Sequence, residues 1–372
     1  MTRIQLIQVG IGTVGGAVLD QVLDHRERWR RELGLDVAVA AVVSTGGVLV
    51  SERDDGFDER FLRDAIARRR SGSSLDDTGA TLAEPLPAIE RVAERGTVVV
   101  MDAAAGDAPA ALDAHALRLG GGVVLSNKAP LALPVGSPDG DALWAEAGPH
   151  GRLRYEATCG AGLPVISTLR SLLDTGDEII EITGAVSGTL GAIFSDVVKE
   201  SAFSAAVRSA KERGYTEPDP RDDLSGLDVA RKALILARTL GRQVDLSEIE
   251  VESLVPSELR DAGVDEFLDR VSLLDGEIGR RAVEAAATGQ TLKYVMSVKS
   301  DGPISVGLRA VDRRTVLGAL QGPENVITFR TKRYDAYPLN VAGPGAGAAV
   351  TAAGMVADML ALAMGPLRLA HP

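Results

Sequence analysis

Short apolar runs and longer amphipathic stretches alternate along the first third of the chain. Four runs are almost continuously apolar, as strands buried on both faces of a sheet are. They lie at residues 4–9, 37–43, 97–103 and 122–128. Between them, apolar residues recur with helical spacing at 17–23 and around Ala108–Leu119. Buried strands that alternate with helices predict a doubly wound parallel sheet.

The pattern changes after residue 152. Alternating polar and apolar positions predict strands of an antiparallel or mixed sheet at 178–187, 292–300 and 304–312. Helices are predicted between these strands and near the C-terminus. They lie at about 195–213, 225–240, 265–288 and 345–364.

A glycine-rich turn lies between the first predicted strand and the first predicted helix. Its sequence is GIGTVG, residues 10–15. Gly10 allows a tight turn, Gly12 lets a pyrophosphate approach the backbone, and Gly15 lets the helix pack on the strand. The N-terminus of the helix then offers N–H groups to the phosphates. An ordinary glycine-containing turn is the alternative, but the strand–turn–helix context predicts a dinucleotide site.

The two patterns divide the chain of 372 residues into two predicted domains. We expect a Rossmann-type dinucleotide-binding domain at 1–152, completed by the C-terminal segment 341–372. An α+β domain with a mixed sheet, for substrate binding and dimerisation, is expected at 153–340. The predicted fold class is therefore α/β with a second, α+β domain.

The end of the second predicted strand bears on cofactor choice. An NAD enzyme usually places an acid there to hold the ribose hydroxyls. Here the strand runs into Ser44-Thr45-Gly46-Gly47, without an acid. Hydroxyl and N–H groups could accept a 2′-phosphate, and Arg53 could help. We therefore expect NADP, with NAD also tolerated.

Composition excludes several classes of function. The net charge of −12 and an aromatic content of 3% argue against nucleic-acid binding. The single cysteine, Cys159, excludes a disulfide framework and fits a reducing cytoplasm. None of the four histidines lies in a readable motif, so a lysine or a carboxylate is expected to perform any acid–base chemistry. We expect neither a signal peptide nor a membrane span.

The stretch GYTEPDPRDDLSGLDVARK, from Gly214 to Lys232, concentrates negative charge. A helix is predicted at 225–241, and it places Asp228 and Lys232 four residues apart on one face. Taken alone, this pair favours an exposed helix ion pair of about 0.3–0.5 kcal/mol. The clustered carboxylates upstream repel one another unless a cation lies among them. They therefore suggest a pocket for a positively charged amine.

Several segments together resemble homoserine dehydrogenases. They are SNK (126–128), YEATCGAGLP (155–164), SGTLGAIF (187–194), GYTEPDP…GLDVARK and, near the end, TKRYDAYPLNVAGPGAGAAVTAAG. The resemblance is to a short form without a C-terminal ACT domain. It implies a reversible, NAD(P)-dependent reduction of L-aspartate 4-semialdehyde to L-homoserine, on the route to threonine, methionine and isoleucine. It also implies a cytoplasmic homodimer acting on a small-molecule substrate, and the apolar strands at 292–312 favour dimerisation.

The resemblance assigns roles to residues around the acidic stretch. Lys232 is expected to donate the proton to the aldehyde oxygen, and Asp228 to orient that lysine or adjust its acidity. Lys128 resembles the second active-site lysine of the family, near the nicotinamide. Substrate contacts are expected from Glu217 and Asp223 to the ammonium group, from Tyr215 in the pocket wall, and from Gly188 and Thr189 to the polar end. Asp219 and Asp222 are interpreted as loop structure.

Further roles concern the cofactor and a cation. Cofactor contacts are expected from Gly10, Gly12, Thr13, Val14, Gly15, Ser44, Ala103, Ser126, Lys128 and Gly347. Ala103–Ala105 replace a Ser or Thr that the family often carries, so contacts there would come from the backbone alone. YEATCGAGLP resembles the family's monovalent-cation loop, with sodium the expected ion. Its ligands would be the Glu156 side chain and the carbonyls of Cys159, Ala161 and Leu163.

Two other interpretations remain open at this point. In the first, Cys159 is the nucleophile of a semialdehyde dehydrogenase, which would need a base beside the thiol. In the second, the protein is a catalytically inactive NAD(P)-binding sensor.

Overall fold

The computed structural model describes residues 1–73, 83–199, 201–365 and 367. The chain divides into two compact units. We call Met1–Gly162 with Ala346–Pro372 the N-terminal unit, and Leu163–Gly345 the central unit. Of the C-terminal segment predicted to complete the dinucleotide domain, residues 366 and 368–372 lie outside the described residues.

The described residues form twelve strands in two sheets. The strands are β1 Thr2–Val9, β2 Leu35–Ser44, β3 Gly47–Val50, β4 Thr97–Asp102, β5 Gly122–Leu125, β6 Leu153–Arg154, β7 Ile179–Ala185, β8 Glu250–Val251, β9 Gln290–Lys299, β10 Ile304–Asp312, β11 Glu324–Thr331 and β12 Leu339–Pro344. The first sheet has the order β3-β2-β1-β4-β5-β6, and only β3 pairs antiparallel. The second has the order β12-β11-β7-β9-β10-β8 and is antiparallel except at β8. The predicted fold class is thereby confirmed.

Fourteen α-helices accompany these strands in the described parts of the chain. They are α1 Thr13–Glu32, α2 Glu59–Arg70, α3 Pro85–Ala93, α4 Ala110–Arg118, α5 Pro138–Ala145, α6 Val165–Asp174, α7 Gly188–Val197, α8 Phe203–Glu212, α9 Pro220–Leu224, α10 Leu227–Thr239, α11 Val264–Arg270, α12 Asp275–Ala287, α13 Val316–Ala319 and α14 Ala348–Met364. In the N-terminal unit, α1 and α14 pack side by side. Met355, Met359 and Leu362 of α14 are fully buried in that unit's core.

Two predicted helices are each divided in the structure. The helix predicted at 195–213 is α7 followed by a separate α8, and the helix predicted at 265–288 is α11 and α12, joined by a 3-10 turn at Val271–Leu274. One contact joins the helices that follow the two breaks, α8 and α12. The Asp275 carboxylate, at the start of α12, accepts hydrogen bonds from the N–H and hydroxyl of Ser204 at 2.7 and 2.8 Å. It thereby fixes the start of α8 across 71 residues of sequence, which a periodic pattern cannot reveal.

In the central unit, α10 is held close to the second sheet by the glycine that precedes it. Gly226 has φ = 75°, and a Cβ there would lie 2.0 Å from the Tyr294 hydroxyl oxygen. That hydroxyl, on β9, donates to the Glu252 carbonyl at 2.8 Å. The sheet therefore fixes where α10 begins, and with it the helix face that carries Asp228 and Lys232.

A buried pair of carboxyl groups lies at the end of β4 in the N-terminal unit. Asp102 accepts hydrogen bonds from the Ala104 N–H at 2.8 Å and from Asn127 Nδ2 at 2.9 Å. Asp113, on α4, is fully buried, and among the described residues neither of its oxygens meets an N–H or O–H donor. Burial raises the pKa of Asp113 well above its usual value, and the neighbouring Asp102 carboxyl raises it further. Both carboxyl groups therefore favour the protonated form, and Asp113, the more deeply buried of the two, favours it more strongly.

Asn127 connects Asp102 to the turn after β5. Asn127 Nδ2 also donates to the Gly106 carbonyl at 2.7 Å, and its Oδ1 accepts the Ala129 N–H at 3.1 Å. The pair thus supports the residues on both sides of Lys128.

We predict that this pair makes stability depend on pH. Because the folded-state pKa of Asp113 is raised, the folded chain holds its proton more tightly than the unfolded chain, and stability is lost as pH rises. Asp113→Asn keeps a neutral donor to Asp102 at every pH. Between pH 5 and pH 9, its Tm should therefore fall less than that of wild type. The difference in Tm should be about 2–4 °C for each kcal/mol of unfolding free energy that wild type loses and the variant keeps. Thermal unfolding across that range measures the difference.

Asp107→Asn, an exposed carboxylate in the neighbouring loop, is the control and should follow wild type. Equal slopes for wild type and Asp113→Asn would contradict the raised pKa of Asp113.

Candidate active site

The glycine loop of the N-terminal unit has the geometry that its sequence predicts. Gly12 immediately precedes α1, and the Gly10 N–H donates to the Val43 carbonyl at 2.9 Å. A Cβ at Gly15 would lie 1.9 Å from the Gly10 carbonyl oxygen, so only glycine lets α1 start this close to β1. Buried Gln8 donates to the Gly10 and Met101 carbonyls at 3.0 and 3.1 Å, which fastens the loop to β4.

The other predicted cofactor residues of the N-terminal unit lie at strand ends or helix starts. Ser44 ends β2, Ala103 follows β4, and Ser126 and Lys128 follow β5. Gly347 immediately precedes α14. Thr13 and Val14 form the first turn of α1. Since ligands of open parallel sheets bind at the carboxyl ends of the strands, these are the positions where a dinucleotide would lie.

Arg53 does not lie with this group. It follows β3, which runs antiparallel to β2 away from Ser44, and its guanidinium pairs with Asp55 at 2.6 Å. β3 spans four residues, roughly 13 Å at the usual rise of a strand. The expectation that Arg53 helps to hold a 2′-phosphate at Ser44 is therefore not supported, because β3 carries the chain away from Ser44 to the level of Ala40 on β2.

In the central unit, Lys232 is buried on α10 with its ammonium group between two acceptors. Nζ lies 2.7 Å from Asp228 Oδ2, one helical turn earlier, and donates to the Val186 carbonyl at 2.6 Å. The Lys232 side chain is 10% exposed, whereas that of Asp228 is 45% exposed. The pair is therefore not the exposed helix ion pair that the spacing alone favours. The Val186 carbonyl is a partner that the sequence pattern did not reveal.

A second hydrogen-bond network adjoins this pair and joins α7, α9 and the loop between α8 and α9. The Thr189 hydroxyl lies 2.6 Å from the Tyr215 carbonyl oxygen and 2.8 Å from Asp223 Oδ1. Asp223 Oδ2 accepts the Glu217 N–H at 2.8 Å. Gly188 begins α7, beside Thr189. The structure therefore brings the predicted substrate residues Gly188, Thr189, Tyr215, Glu217 and Asp223 together.

The electrostatics of this network are dominated by Asp223. Burial raises the pKa of Asp223, and the N–H of Glu217 and the hydroxyl of Thr189 oppose that rise. The nearby carboxylates of Asp228 and Asp222 raise the pKa again. A positive charge placed among these groups would relieve the repulsion between them. Glu217 and the Tyr215 ring are exposed, and the Arg213 guanidinium stacks on that ring 5.0 Å from its centroid.

Asp219 has a structural task in the same loop. Its carboxylate caps α9 by accepting the Arg221 N–H at 3.0 Å and pairs with the Arg221 guanidinium at 2.6 Å. Arg221 in turn donates to the Leu259, Arg260 and Ala262 carbonyls. This arginine, which the sequence analysis did not single out, anchors the acidic loop.

The predicted cation loop has buried oxygen donors of the required kind. Glu156 is 8% exposed, and its N–H donates to Asp358 Oδ2, on α14, at 2.8 Å. Burial raises the pKa of Asp358 to about 7, and the Glu156 charge adds to that rise. Ala161 has φ = 56°, the left-handed conformation. The Leu163 carbonyl accepts the Val165 N–H at 2.8 Å and keeps a second lone pair.

Cys159 lies within this loop, and its side chain is fully buried. The Thr158 hydroxyl is 3.7 Å from its sulfur. A substrate aldehyde cannot approach a thiol in this position, so the interpretation of Cys159 as a nucleophile is not supported.

Metal-ligand clusters and membrane-spanning helices are both absent from the described residues. Among them, no group of three or more His, Cys, Asp or Glu side chains could hold a metal ion. None of their helices combines the length and the apolar character that a membrane crossing requires.

Comparisons with known proteins agree with this geometry. The homoserine dehydrogenase family model matches residues 164–360. The chain is 36% identical over 370 residues to a homoserine dehydrogenase from Schizosaccharomyces pombe, covering 96% of this chain and 95% of that protein. It is 38% identical over 361 residues to bifunctional aspartokinase/homoserine dehydrogenase 2 of Arabidopsis thaliana, covering 95% of this chain and 38% of that protein. The chain thus spans about two fifths of the length of such bifunctional relatives.

A solved structure shares the fold. A hyperthermophilic archaeal homoserine dehydrogenase in complex with NADPH superposes with a TM-score of 0.73 at 23% identity, covering 100% of this chain and 99% of that one. With the family match and the relative from Schizosaccharomyces pombe, the conclusion is that this chain belongs to the homoserine dehydrogenase family.

Proposed function

We propose that the protein catalyses the reversible, NAD(P)-dependent reduction of L-aspartate 4-semialdehyde to L-homoserine. The observation that carries this proposal is the buried Lys232 ammonium group beside a cluster of carboxylates, in a member of this family. A buried proton donor next to an anionic pocket suits an aldehyde that also carries an ammonium group. The proposed role belongs to the route to threonine, methionine and isoleucine.

In this proposal Lys232 donates a proton to the aldehyde oxygen as hydride reaches the carbon. Bound NADPH or NADH supplies that hydride. Asp228 and the Val186 carbonyl hold Nζ in place, so that little reorganisation accompanies the transfer. In the reverse direction, deprotonated Lys232 takes the hydroxyl proton of homoserine. Lys128, at the end of β5, is proposed to act beside the nicotinamide.

Recognition of the substrate is assigned to the carboxylate network. Glu217 and Asp223 would bind the α-ammonium group, and Tyr215 would line the pocket. Thr189 and Gly188, at the start of α7, would offer a hydroxyl and N–H groups to the polar end of the substrate.

The cofactor residues proposed are those of the glycine loop, Gly10–Gly15, with Ser44, Ala103, Ser126, Lys128 and Gly347. Absence of an acid at the end of β2 supports NADP, with NAD as a second cofactor.

A sodium ion is proposed at the loop of Glu156, Cys159, Ala161 and Leu163, because a buried carboxylate and carbonyl oxygens are the donors an alkali cation prefers. Activity in sodium chloride that only matched activity in choline chloride would exclude a role for sodium.

A homodimer is proposed as the assembly, and sedimentation as a monomer would exclude the dimer.

The first test of the reaction compares wild type with Lys232→Met. Wild type should oxidise NADPH and NADH in the presence of L-aspartate 4-semialdehyde, with L-homoserine as product. Lys232→Met removes the proton donor while keeping much of the side-chain volume, so kcat should fall by about 10²–10⁴-fold. Cofactor binding, measured by nucleotide fluorescence, should remain unchanged.

The control is Lys299→Met, which makes the same change at an exposed position at the end of β9 and should leave kcat intact. Turnover by Lys232→Met close to wild type would move the acid–base role elsewhere, first to Lys128. No turnover by wild type with either cofactor would reject the proposed reaction.

A second test concerns the ammonium group. Asp223→Asn keeps an oxygen that accepts the Glu217 N–H but removes the charge, so KM for the aldehyde should rise about tenfold with a smaller change in kcat. Asp222→Asn removes an exposed neighbouring charge and should change KM little. Steady-state kinetics of both variants give the two KM values. An equal rise in KM for both variants would argue against a specific contact at Asp223.

A further inference from the structure

A cavity of about 700 Å³ lies beside the glycine loop in the N-terminal unit. Its lining includes the first residues of α1, Gly12 and Thr13, and the first residues of α14, Ala348 and Ala349. The Gln21 side chain, on α1, donates to the Ala349 carbonyl at 2.8 Å. This bond ties the start of α14 to α1, so the N-termini of two long helices meet at one cavity.

At both of these N-termini, no side chain of the helix itself offsets the positive potential of the first N–H groups. Each helix follows a glycine, Gly12 or Gly347, without a side-chain cap and without an acidic residue in its first turn. The first N–H groups of a helix need partners from outside the helix, and they create positive potential there.

The last turn of α2 adds two guanidinium groups to the same cavity. Arg69 and Arg70 both line it. Arg70 pairs with Asp20 at 2.6 Å, whereas Arg69 forms no ion pair within the described residues. Asp20 is also shared with Arg63 at 3.3 Å. Among the described residues that line the cavity, two side chains are positive and one, that of Asp20, is negative, although the chain as a whole carries a net charge of −12.

Guanidinium groups and free N–H groups together match the oxygens of a phosphate. Two positions are conceivable on a dinucleotide: the pyrophosphate, at the glycine loop, and the 2′-phosphate, at the end of β2. Gly12 and Thr13 line the cavity, whereas Ser44 and its neighbours are not among the described residues that line it. The location therefore favours the pyrophosphate.

We propose that Arg69 and Arg70 bind the pyrophosphate of the cofactor from the α2 side of the cavity. This inference rests on the dinucleotide role proposed above. Because NADH and NADPH share the pyrophosphate, the two arginines strengthen the binding of both cofactors equally. They contribute to affinity and do not select between the two.

The test measures the Kd of NADPH and of NADH by nucleotide fluorescence, on the full chain and without an aldehyde. Arg69→Ala and Arg70→Ala should each weaken both nucleotides about tenfold. Arg69→Lys, which keeps a point charge, should recover part of that loss. Arg68→Ala should bind as wild type does, because Arg68 is not among the residues lining the cavity and pairs with Asp64 at 2.7 Å.

Weakening of NADPH alone would place the arginines at the 2′-phosphate and overturn the proposal, as would unchanged Kd values for both nucleotides. Arg69→Ala removes no ion pair of the described residues, so it keeps the test valid even if Arg70→Ala loosens the contact to Asp20. Since no aldehyde is present, the result does not depend on whether the proposed reaction is correct.

Discussion

A buried ammonium group that needs two acceptors is the interaction on which the candidate active site depends. Charge is costly to bury unless it is paired and hydrogen-bonded, and Lys232 meets that condition with Asp228 on its own helix and the Val186 carbonyl at the end of β7. The contact to Val186 fixes α10 against the connection from β7 to α7. The same connection starts α7, where Thr189 joins the acidic loop.

The carboxylates near this ammonium group differ in the contacts that hold them. Asp223 accepts two hydrogen bonds yet has a raised pKa because it is partly buried near Asp228 and Asp222. Asp219, in contrast, is neutralised by Arg221. The loop thus holds one carboxylate, Asp219, that stabilises it, and another, Asp223, whose charge a nearby cation would stabilise.

Local features of this fold could be predicted from the sequence. The glycine loop, the buried strands of the first sheet and α10 with its i, i+4 pair each depend on residues close in the chain. Contacts between residues that are distant in the chain could not be predicted from it. Val186 lies 46 residues before Lys232, and Asp275 starts α8 from 71 residues away.

Strands β11 and β12 were not predicted, since their sequences mix polar and apolar residues and β12 is an exposed edge strand. Asp113 gave no signal either, because an aspartate in a helix is usually solvated, whereas here it is fully buried beside Asp102 and its pKa is raised. The position of Arg53 could not be predicted either, because the direction of β3 carries it away from Ser44.

The most direct measurement is a double-mutant cycle on kcat/KM with Lys232→Met, Asp228→Asn and the combined variant. If Asp228 acts by holding the Lys232 ammonium group, its substitution should slow wild type but cost little once Lys232 is absent, so the double variant should be about as slow as Lys232→Met alone. Fully additive losses would show that Asp228 acts independently of the lysine, and would contradict the account of a proton donor positioned by its ion pair.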